Sequence, residues 1–170
     1  MKQICLLFIL LLGLGYSFCM AQKVQSQKAF DKMLAKMYEN SVPLVHANNL
    51  EAEDLANYVI LDTREWSEYN VSHIAGAQWA GYDNFQSYIL NNIPKDQPIL
   101  VYCSVGYRSE RMGEKIQKMG YQDVKNLYGG IFDWVNQDRE VVDANEKVTT
   151  KVHAFNQEWG QWLRKGKKVY

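Results

Sequence analysis

Cys103 is the side chain in this sequence best placed to act as a nucleophile. It follows the apolar run 99–102 and precedes Gly106 and Arg108, after which a helical pattern begins. This order places the thiol at the amino end of a helix, where unpaired backbone N–H groups and the helix dipole stabilise an anion. The Arg108 guanidinium adds a full positive charge. The pattern therefore predicts that Cys103 is a thiolate and that its surroundings stabilise an anionic group bound to the sulfur.

A buried, inert cysteine at the end of a core strand is the alternative interpretation of Cys103. Gly106 and Arg108 favour the reactive interpretation, because Gly106 permits a tight turn and Arg108 supplies charge. Asp62 and Arg64 follow a second apolar run. Asp62 and Arg64 bind either the loop that follows Cys103 or each other. We expect both to be structural residues near the site.

Short apolar runs alternate with amphipathic segments along most of the chain. The predicted strands are residues 44–46, 58–61, 77–79, 99–102 and 124–127, and the predicted helices are residues 26–38, 49–55, 65–69, 84–90, 108–119 and 131–136. Strands that alternate with helices indicate an α/β fold, in which a central parallel sheet has helices on both faces. Ligands of such sheets bind beyond the carboxyl ends of the strands, where Cys103 and Asp62 lie.

The first residues are typical of a secretory signal peptide. An early lysine is followed by a nine-residue apolar stretch and by small or weakly polar residues up to Ala21. We expect residues 1–21 to be removed and the protein to be periplasmic or secreted. Two alternatives stay open, an uncleaved anchor and a lipoprotein signal that uses Cys19. The short apolar stretch disfavours the anchor, and the bulky Phe18 disfavours the lipoprotein.

Removal of residues 1–21 leaves Cys103 as the only one of three cysteines, so no internal disulfide is possible. The chain has 19 Lys and Arg against 19 Asp and Glu, and loss of Lys2 makes this 18 against 19. A net charge near zero gives no argument for nucleic acid as a partner. The length suits one domain, and we expect a monomer that contacts a membrane only if it is lipidated or uncleaved.

Four segments, in this order along the chain, resemble the rhodanese-like domain family. They are an Asp-x-Arg strand end at 62–64, a His-Ile-x-Gly-Ala segment at 73–77, an active-site loop at 103–109, and a Gly-Gly turn with an aromatic helix at 127–134. The resemblance implies the family's three-layer α/β fold and a sulfur-transfer reaction. In that reaction Cys103 takes a sulfane sulfur from a donor, holds it as a persulfide among the loop amides, and passes it to a thiophilic acceptor.

The resemblance also implies roles for individual residues. Cys103 is the catalytic nucleophile, and Arg108 contacts an anionic donor such as thiosulfate or else pairs with Glu110 or Glu114. The reaction needs no metal and no organic cofactor, and His73 belongs to a segment in which the histidine is a hydrogen-bonded structural residue. The residues expected to bind substrate are Ser104, Val105, Gly106, Tyr107 and Arg108. For Ser104 and Tyr107 the alternative is a side chain that points to solvent.

The same resemblance divides the chain into segments. We expect the signal peptide at 1–21, an N-terminal helical extension at 22–43, the rhodanese-like domain at 44–138, and a C-terminal extension at 139–170. The last segment is too aromatic for a disordered tail. We expect it to form a short helix that packs on the domain.

Three functions fit this sequence to different degrees. The first is a sulfurtransferase that moves sulfane sulfur from thiosulfate or a persulfide donor to cyanide or a thiol. The second is a non-catalytic binding or regulatory module, which is disfavoured because such a module is expected to have lost Cys103. The third is a phosphatase or arsenate reductase. Four residues separate Cys103 from Arg108, where those enzymes are expected to have five, and Tyr102 precedes the cysteine where they commonly have histidine.

Overall fold

The computed structural model describes residues 22 and 24–170, so the expected signal peptide lies outside the described residues. The chain divides into two compact units after Met37. The first unit contributes helix α1, residues 24–37, which confirms the helix predicted at 26–38. The second unit, Tyr38–Tyr170, contains the sheet and the candidate site. Within the described residues, no helix has the length and apolarity that crossing a membrane requires.

A five-stranded parallel sheet forms the centre of the second unit. The strands are β1 (Leu44–Val45), β2 (Val59–Asp62), β3 (Gln78–Trp79), β4 (Ile99–Tyr102) and β5 (Val124–Leu127). Their spatial order is β1-β5-β4-β2-β3, and each neighbouring pair is parallel. The predicted α/β class is confirmed, and β4 and β5 have the predicted bounds.

The central strand β4 is covered on both faces, because all four of its residues are buried and successive side chains of a strand point to opposite faces. On one face, Ile99 and Val101 belong to a core cluster with Met112 and Ile116. Met112 and Ile116 are four residues apart on a helix, so they present one apolar stripe to the sheet. Burial of this kind contributes about 25 cal/mol per Å² of apolar surface.

The helices of the second unit are α2 (Ala52–Ala56), α3 (Trp66–Val71), α4 (Tyr107–Lys118), α5 (Gly130–Asn136) and α6 (Gln157–Gly160). The predicted helix 49–55 starts later, because a capping box between Glu51 and Asp54 sets the start of α2. The helix predicted at 84–90 is wrong: only a short 3-10 helix, Ser87–Leu90, forms there. The Gln86 N–H donates to the Ala80 carbonyl oxygen at 2.8 Å and Gln86 Nε2 to the Asn84 carbonyl oxygen at 2.7 Å, so residues 84–86 form a loop in place of the first turn of a helix.

The C-terminal segment contains more than the single short helix predicted. Strands β6 (Val141–Val142) and β7 (Val148–Thr149) pair antiparallel, and strands β8 (Lys151–His153) and β9 (Lys167–Val169) pair parallel. Strands of two or three residues are too short to produce a hydrophobic period in the sequence. His73 and Val142 exchange two backbone hydrogen bonds of 2.9 Å, which join this segment to the sheet domain.

Candidate active site

The loop 103–106 joins β4 to α4 at the carboxyl edge of the sheet. The register of β2 and β4 places Asp62 opposite Tyr102, so Cys103 emerges beside the end of β2. Gly106 has a φ of 98°, a left-handed conformation that glycine adopts without steric cost, and it is the residue from which α4 begins. The turn brings the Gly106 N–H to 3.1 Å from Cys103 Sγ. The thiol is 1 % exposed.

The start of α5 binds the first two carbonyl groups of this loop. The Ile131 N–H donates to the Cys103 carbonyl oxygen at 2.9 Å, and the Phe132 N–H donates to the Ser104 carbonyl oxygen at 3.1 Å. These are N–H groups in the first turn of a helix, which have no partner inside the helix itself. The Gly-Gly turn before α5 therefore docks the helix directly on the active loop.

Tyr38 holds the next part of the loop. Its hydroxyl donates to the Val105 carbonyl oxygen at 2.6 Å and accepts from the Gly129 N–H at 2.9 Å. Burial raises the pKa of Tyr38 well above its ordinary value, although the Gly129 hydrogen bond opposes this. The hydroxyl therefore stays protonated and keeps its donor role at all physiological pH values.

Asn126 binds the last carbonyl of the loop. Its Nδ2 donates to the Gly106 carbonyl oxygen at 2.9 Å, and its Oδ1 accepts from Ser109 Oγ at 2.7 Å. With the contacts above, all four loop carbonyls have donors outside the loop. In a trans peptide the N–H points away from the carbonyl, so the loop N–H groups face the opposite side, where Gly106 N–H meets the sulfur.

Four further backbone N–H groups belong to the loop after Cys103 and to the start of α4. In the described part of the chain, none of them donates to a carbonyl or side-chain acceptor. They are the backbone N–H groups of Ser104, Val105, Tyr107 and Arg108. N–H groups without acceptors at the start of a helix bind anions, and here the Gly106 N–H already contacts the Cys103 sulfur.

Arg108 is bound by a carboxylate that the sequence analysis did not identify. Its Nη1 donates to Glu68 Oε2 at 2.7 Å and its Nη2 to Glu68 Oε1 at 2.8 Å. Ser104 Oγ joins the pair, accepting from Arg108 Nη2 at 3.0 Å and donating to Glu68 Oε1 at 3.0 Å. The alternative partners Glu110 and Glu114 are therefore wrong. The donor contact expected of Arg108 stays a prediction.

The Glu68 side chain is almost fully buried, with 3 % exposed. Burial acts to raise the pKa of Glu68, but the hydrogen bonds and charge of Arg108 outweigh it and hold this pKa below its ordinary value. Glu68 is thus a carboxylate at neutral pH. Burial in turn acts to lower the pKa of Arg108, and Glu68 outweighs it, so the pair is ionised on both sides.

The C-terminal segment covers this ion pair. The Phe155 ring lies over the Arg108 guanidinium, with 5.3 Å between the guanidinium carbon and the ring centroid. His153 interacts electrostatically with Glu68, Arg64 and Arg108. Burial lowers the pKa of His153 against the opposing effect of the Glu68 carboxylate, so this imidazole is mainly neutral at pH 7.

Asp62 and Arg64 bind each other and not the active loop. The Arg64 Nη2 donates to Asp62 Oδ2 at 2.6 Å and to the Ser72 carbonyl oxygen at 2.6 Å, and both charged side chains are 0 % exposed. The Thr63 hydroxyl donates to the Tyr102 carbonyl oxygen at 3.0 Å, which fastens this turn to the end of β4. The pair supports the strand end from which the loop emerges.

His73 is a hydrogen-bonded residue away from the thiol. Its ring stacks on Tyr69 with 3.9 Å between ring centroids, and its two ring nitrogens lie 3.1 Å from the Tyr69 carbonyl oxygen and from Glu146 Oε1. Among the residues that the structure describes, no group of three His, Cys, Asp or Glu side chains is arranged to hold a metal ion.

Sequence reasoning missed several residues that shape the loop. Glu68 and Tyr38 are separated from their loop partners by 40 and 67 positions. The capping box of α3, in which Glu68 reaches back to the Glu65 N–H, is the local signal that could have drawn attention to Glu68. The other two contacts, from Asn126 and Phe155, have no signal in the local sequence.

Residues 44–137 match the family model described as Rhodanese-like domain. Over 102 residues the chain is 32% identical to thiosulfate sulfurtransferase GlpE of Coxiella burnetii, which covers 58% of this chain and 94% of that protein. Over 121 residues it is 31% identical to tRNA uridine(34) hydroxylase of Bdellovibrio bacteriovorus, which covers 61% of this chain. The chain spans only 35% of the length of that hydroxylase.

Solved structures share the fold. The crystal structure of thiosulfate sulfurtransferase from Pseudomonas aeruginosa superposes with a TM-score of 0.57 at 20% identity, over 81% of this chain and 26% of that chain. The solution structure of a rhodanese-like domain from Anabaena sp. superposes with a TM-score of 0.55 at 23% identity, over 59% of this chain and 79% of that chain. At these identities the likeness concerns the fold alone.

Proposed function

Because this chain belongs to the rhodanese-like domain family, we propose that it is a sulfurtransferase that carries sulfane sulfur on Cys103. The observation that supports this most is the cradle around the thiol. The Gly106 nitrogen lies 3.1 Å from Sγ, and the neighbouring loop N–H groups have no acceptor among the described residues. Such a cradle stabilises both a thiolate and the persulfide anion that sulfur transfer places there.

The reaction has two steps, and Cys103 is the nucleophile in the first. Its thiolate attacks the sulfane sulfur of the donor, a bond forms between the two sulfur atoms, and the donor's own sulfur–sulfur bond breaks. The leaving group takes that electron pair, so thiosulfate would leave as sulfite. In the second step cyanide or a thiolate attacks the outer sulfur, and Cys103 leaves as a thiolate. No net redox change occurs on the protein.

The site geometry gives less support to the two rival functions. A binding module has no need of a thiol held among backbone N–H donors. A phosphatase or arsenate reductase must surround a tetrahedral oxyanion, and the four residues between Cys103 and Arg108 make a smaller cradle than that. The loop therefore fits a single sulfur atom better.

Thiosulfate and cyanide test this proposal directly. The purified protein is incubated with both, and thiocyanate is measured for the wild type and for Cys103→Ser. We expect thiocyanate from the wild type only. In parallel, intact mass after incubation with thiosulfate or with an organic persulfide should show one added sulfur atom, which cyanide removes. If no donor places cyanide-labile sulfur on Cys103, the protein is not a sulfurtransferase.

We also propose that the protein works outside the cytoplasm. The support is the leader pattern of residues 1–21, with its apolar stretch and the small Ala21 at its end. Intact mass of the protein recovered from cells tests it. A chain that starts at Gln22 supports export in soluble form. A start at Cys19 with added acyl mass would make it a lipoprotein, and an unprocessed chain would contradict removal.

A further inference from the structure

Three guanidinium groups near the loop after Cys103 each form an ion pair with one or two carboxylates. The pairs are Arg64 with Asp62, Arg108 with Glu68, and Arg111 with Glu39 and Glu114. The Arg108 pair is bidentate, and its carboxylate is almost completely buried. A dianion that approaches the loop therefore meets backbone N–H groups but no unmatched guanidinium among these three. The carboxylates therefore offset the attraction that these guanidinium groups would otherwise exert on a donor with two negative charges.

Phe155 covers one face of the Arg108 guanidinium. Its ring lies over the guanidinium at 5.3 Å and is still 48% exposed. The backbone φ of Phe155 is 64°, a left-handed conformation that costs free energy for any residue other than glycine. The Phe155 N–H donates to His153 Nδ1 at 3.2 Å. This hydrogen bond to the end of β8 supports a backbone conformation that the residue type alone disfavours.

Tyr107 is a second exposed ring at the loop. It directly follows Gly106 as the first residue of α4, and 39% of it is exposed. The Arg111 guanidinium carbon lies over the Tyr107 ring, 5.3 Å from the ring centroid. We call Tyr107 and Phe155 the aromatic rim. Exposed rings bind apolar or aromatic groups by stacking and by removal of apolar surface from water.

We propose that the site selects an organic thiol persulfide, with an apolar or aromatic group that packs on the aromatic rim, over the thiosulfate dianion, and that Phe155 determines this preference. The inference rests on the proposed sulfur transfer and specifies its donor. In the step concerned, the Cys103 thiolate attacks the outer sulfur of R–S–SH. The S–S bond of the donor breaks, RS⁻ leaves with the electron pair, and Cys103 becomes the persulfide Cys–S–SH.

Loading of Cys103 from three donors tests this inference. The probes are benzyl persulfide, ethyl persulfide and thiosulfate, and the rate of sulfur addition to the full-length protein is followed by intact mass. Each rate is divided by that of a free model thiol, which removes the intrinsic reactivity of the donor. We expect the corrected rate with benzyl persulfide to exceed that with ethyl persulfide by about fivefold, the effect of one aromatic contact, and to exceed that with thiosulfate by more.

Variants of the rim locate the preference. Phe155→Ala should remove the advantage of benzyl over ethyl persulfide, and Phe155→Tyr should keep it because the ring is retained. Tyr107→Ala tests the other half of the rim independently and should reduce the same advantage. Tyr88→Ala is the matched control, because Tyr88 is an exposed ring on the separate 3-10 helix Ser87–Leu90. It should leave all three rates unchanged.

Three outcomes would overturn the inference. The first is a wild-type protein that loads as well from thiosulfate as from benzyl persulfide after correction. The second is a Phe155→Ala protein that loses the same factor with benzyl and ethyl persulfide. In both cases Cys103 is still loaded, so the proposed sulfur transfer stands and only the donor preference fails. Absence of loading from all three donors would remove the proposed function, and the donor preference with it.

Discussion

Gly130 lies against the backbone of Cys103 so closely that a β-carbon on the glycine would stand 2.3 Å from the Cys103 carbonyl oxygen. A carbon atom cannot stand that close to a carbonyl oxygen unless the backbone shifts. The approach lets the Ile131 N–H bind the same carbonyl oxygen at 2.9 Å. The shape of the nucleophile loop is thus set from outside, by a helix that begins 27 positions later in the chain.

Gly130→Ala should displace the loop and abolish most loading of Cys103. The added carbon meets loop backbone, which cannot move aside as a flexible side chain would. Gly120→Ala is the control, because Gly120 also has a positive φ but nothing lies within 4 Å of its added carbon. In both variants the alanine adopts a positive φ, which costs about 1 kcal/mol. A larger loss of thermal stability in Gly130→Ala than in Gly120→Ala therefore measures the clash. Equal activity in the two variants would contradict the role of the close approach.

Tyr38→Phe should lower both stability and the rate of loading. The change leaves the Val105 carbonyl and the Gly129 N–H without the hydroxyl that binds them at 2.6 and 2.9 Å. Buried polar groups left without partners cost about 2 kcal/mol, which urea unfolding measures. Tyr121→Phe is the matched control, because that hydroxyl is also buried but donates to the Leu90 carbonyl oxygen, away from the loop. It should lose stability and keep its loading rate.

Glu68→Gln should destabilise the protein in a pH-dependent manner. The pKa of Glu68 in the folded protein lies below its ordinary value of 4.5. A lowered carboxyl pKa contributes stability that is complete above the ordinary value and is lost as the pH falls through the folded-state pKa. The variant should therefore be less stable than the wild type by about 3 kcal/mol at pH 7, because Arg108 keeps its charge without a partner.

This difference should decrease in acid, below about pH 4, where Glu68 of the wild type also becomes neutral. Urea unfolding at several pH values measures it. Asp123→Asn is the control: Asp123 pairs with Lys125 at 3.3 Å near the surface, and exposed pairs contribute at most about 1 kcal/mol. A stability difference for Glu68→Gln that is the same at pH 7 and in acid would show that the lost interaction is not ionic.

Arg108→Ala should reduce loading from thiosulfate and from an organic persulfide by similar factors, more than about tenfold each. Arg108 acts on the loop through Glu68 and Ser104, and its removal leaves a buried carboxylate without its partner. The ratio of the two loading rates is the informative measurement. A much larger loss with thiosulfate than with the persulfide would show that Arg108 contacts the anionic donor, as the sequence pattern predicts.

Local sequence patterns predicted the scaffold and the candidate nucleophile. The apolar run Ile99–Tyr102 predicted β4 to the residue, and the segment Val124–Leu127, bounded by apolar residues, was predicted as β5 with the same bounds. The same local pattern identified the loop from Cys103 to Arg108. These features depend on neighbours in the chain, so local composition is enough to predict them. The C-terminal strands, two or three residues long, were not predicted.

How the loop is held and which residues surround the thiol depend on contacts between distant segments. Which carboxylate pairs with Arg108 depends on where the register of β2 and β4 places α3. The hydroxyl that binds the Val105 carbonyl comes from 67 positions earlier. The ring over Arg108 comes from the turn after β8, beyond the family match. Contacts between distant segments depend on register and docking, which the spacing of residues along the chain does not encode.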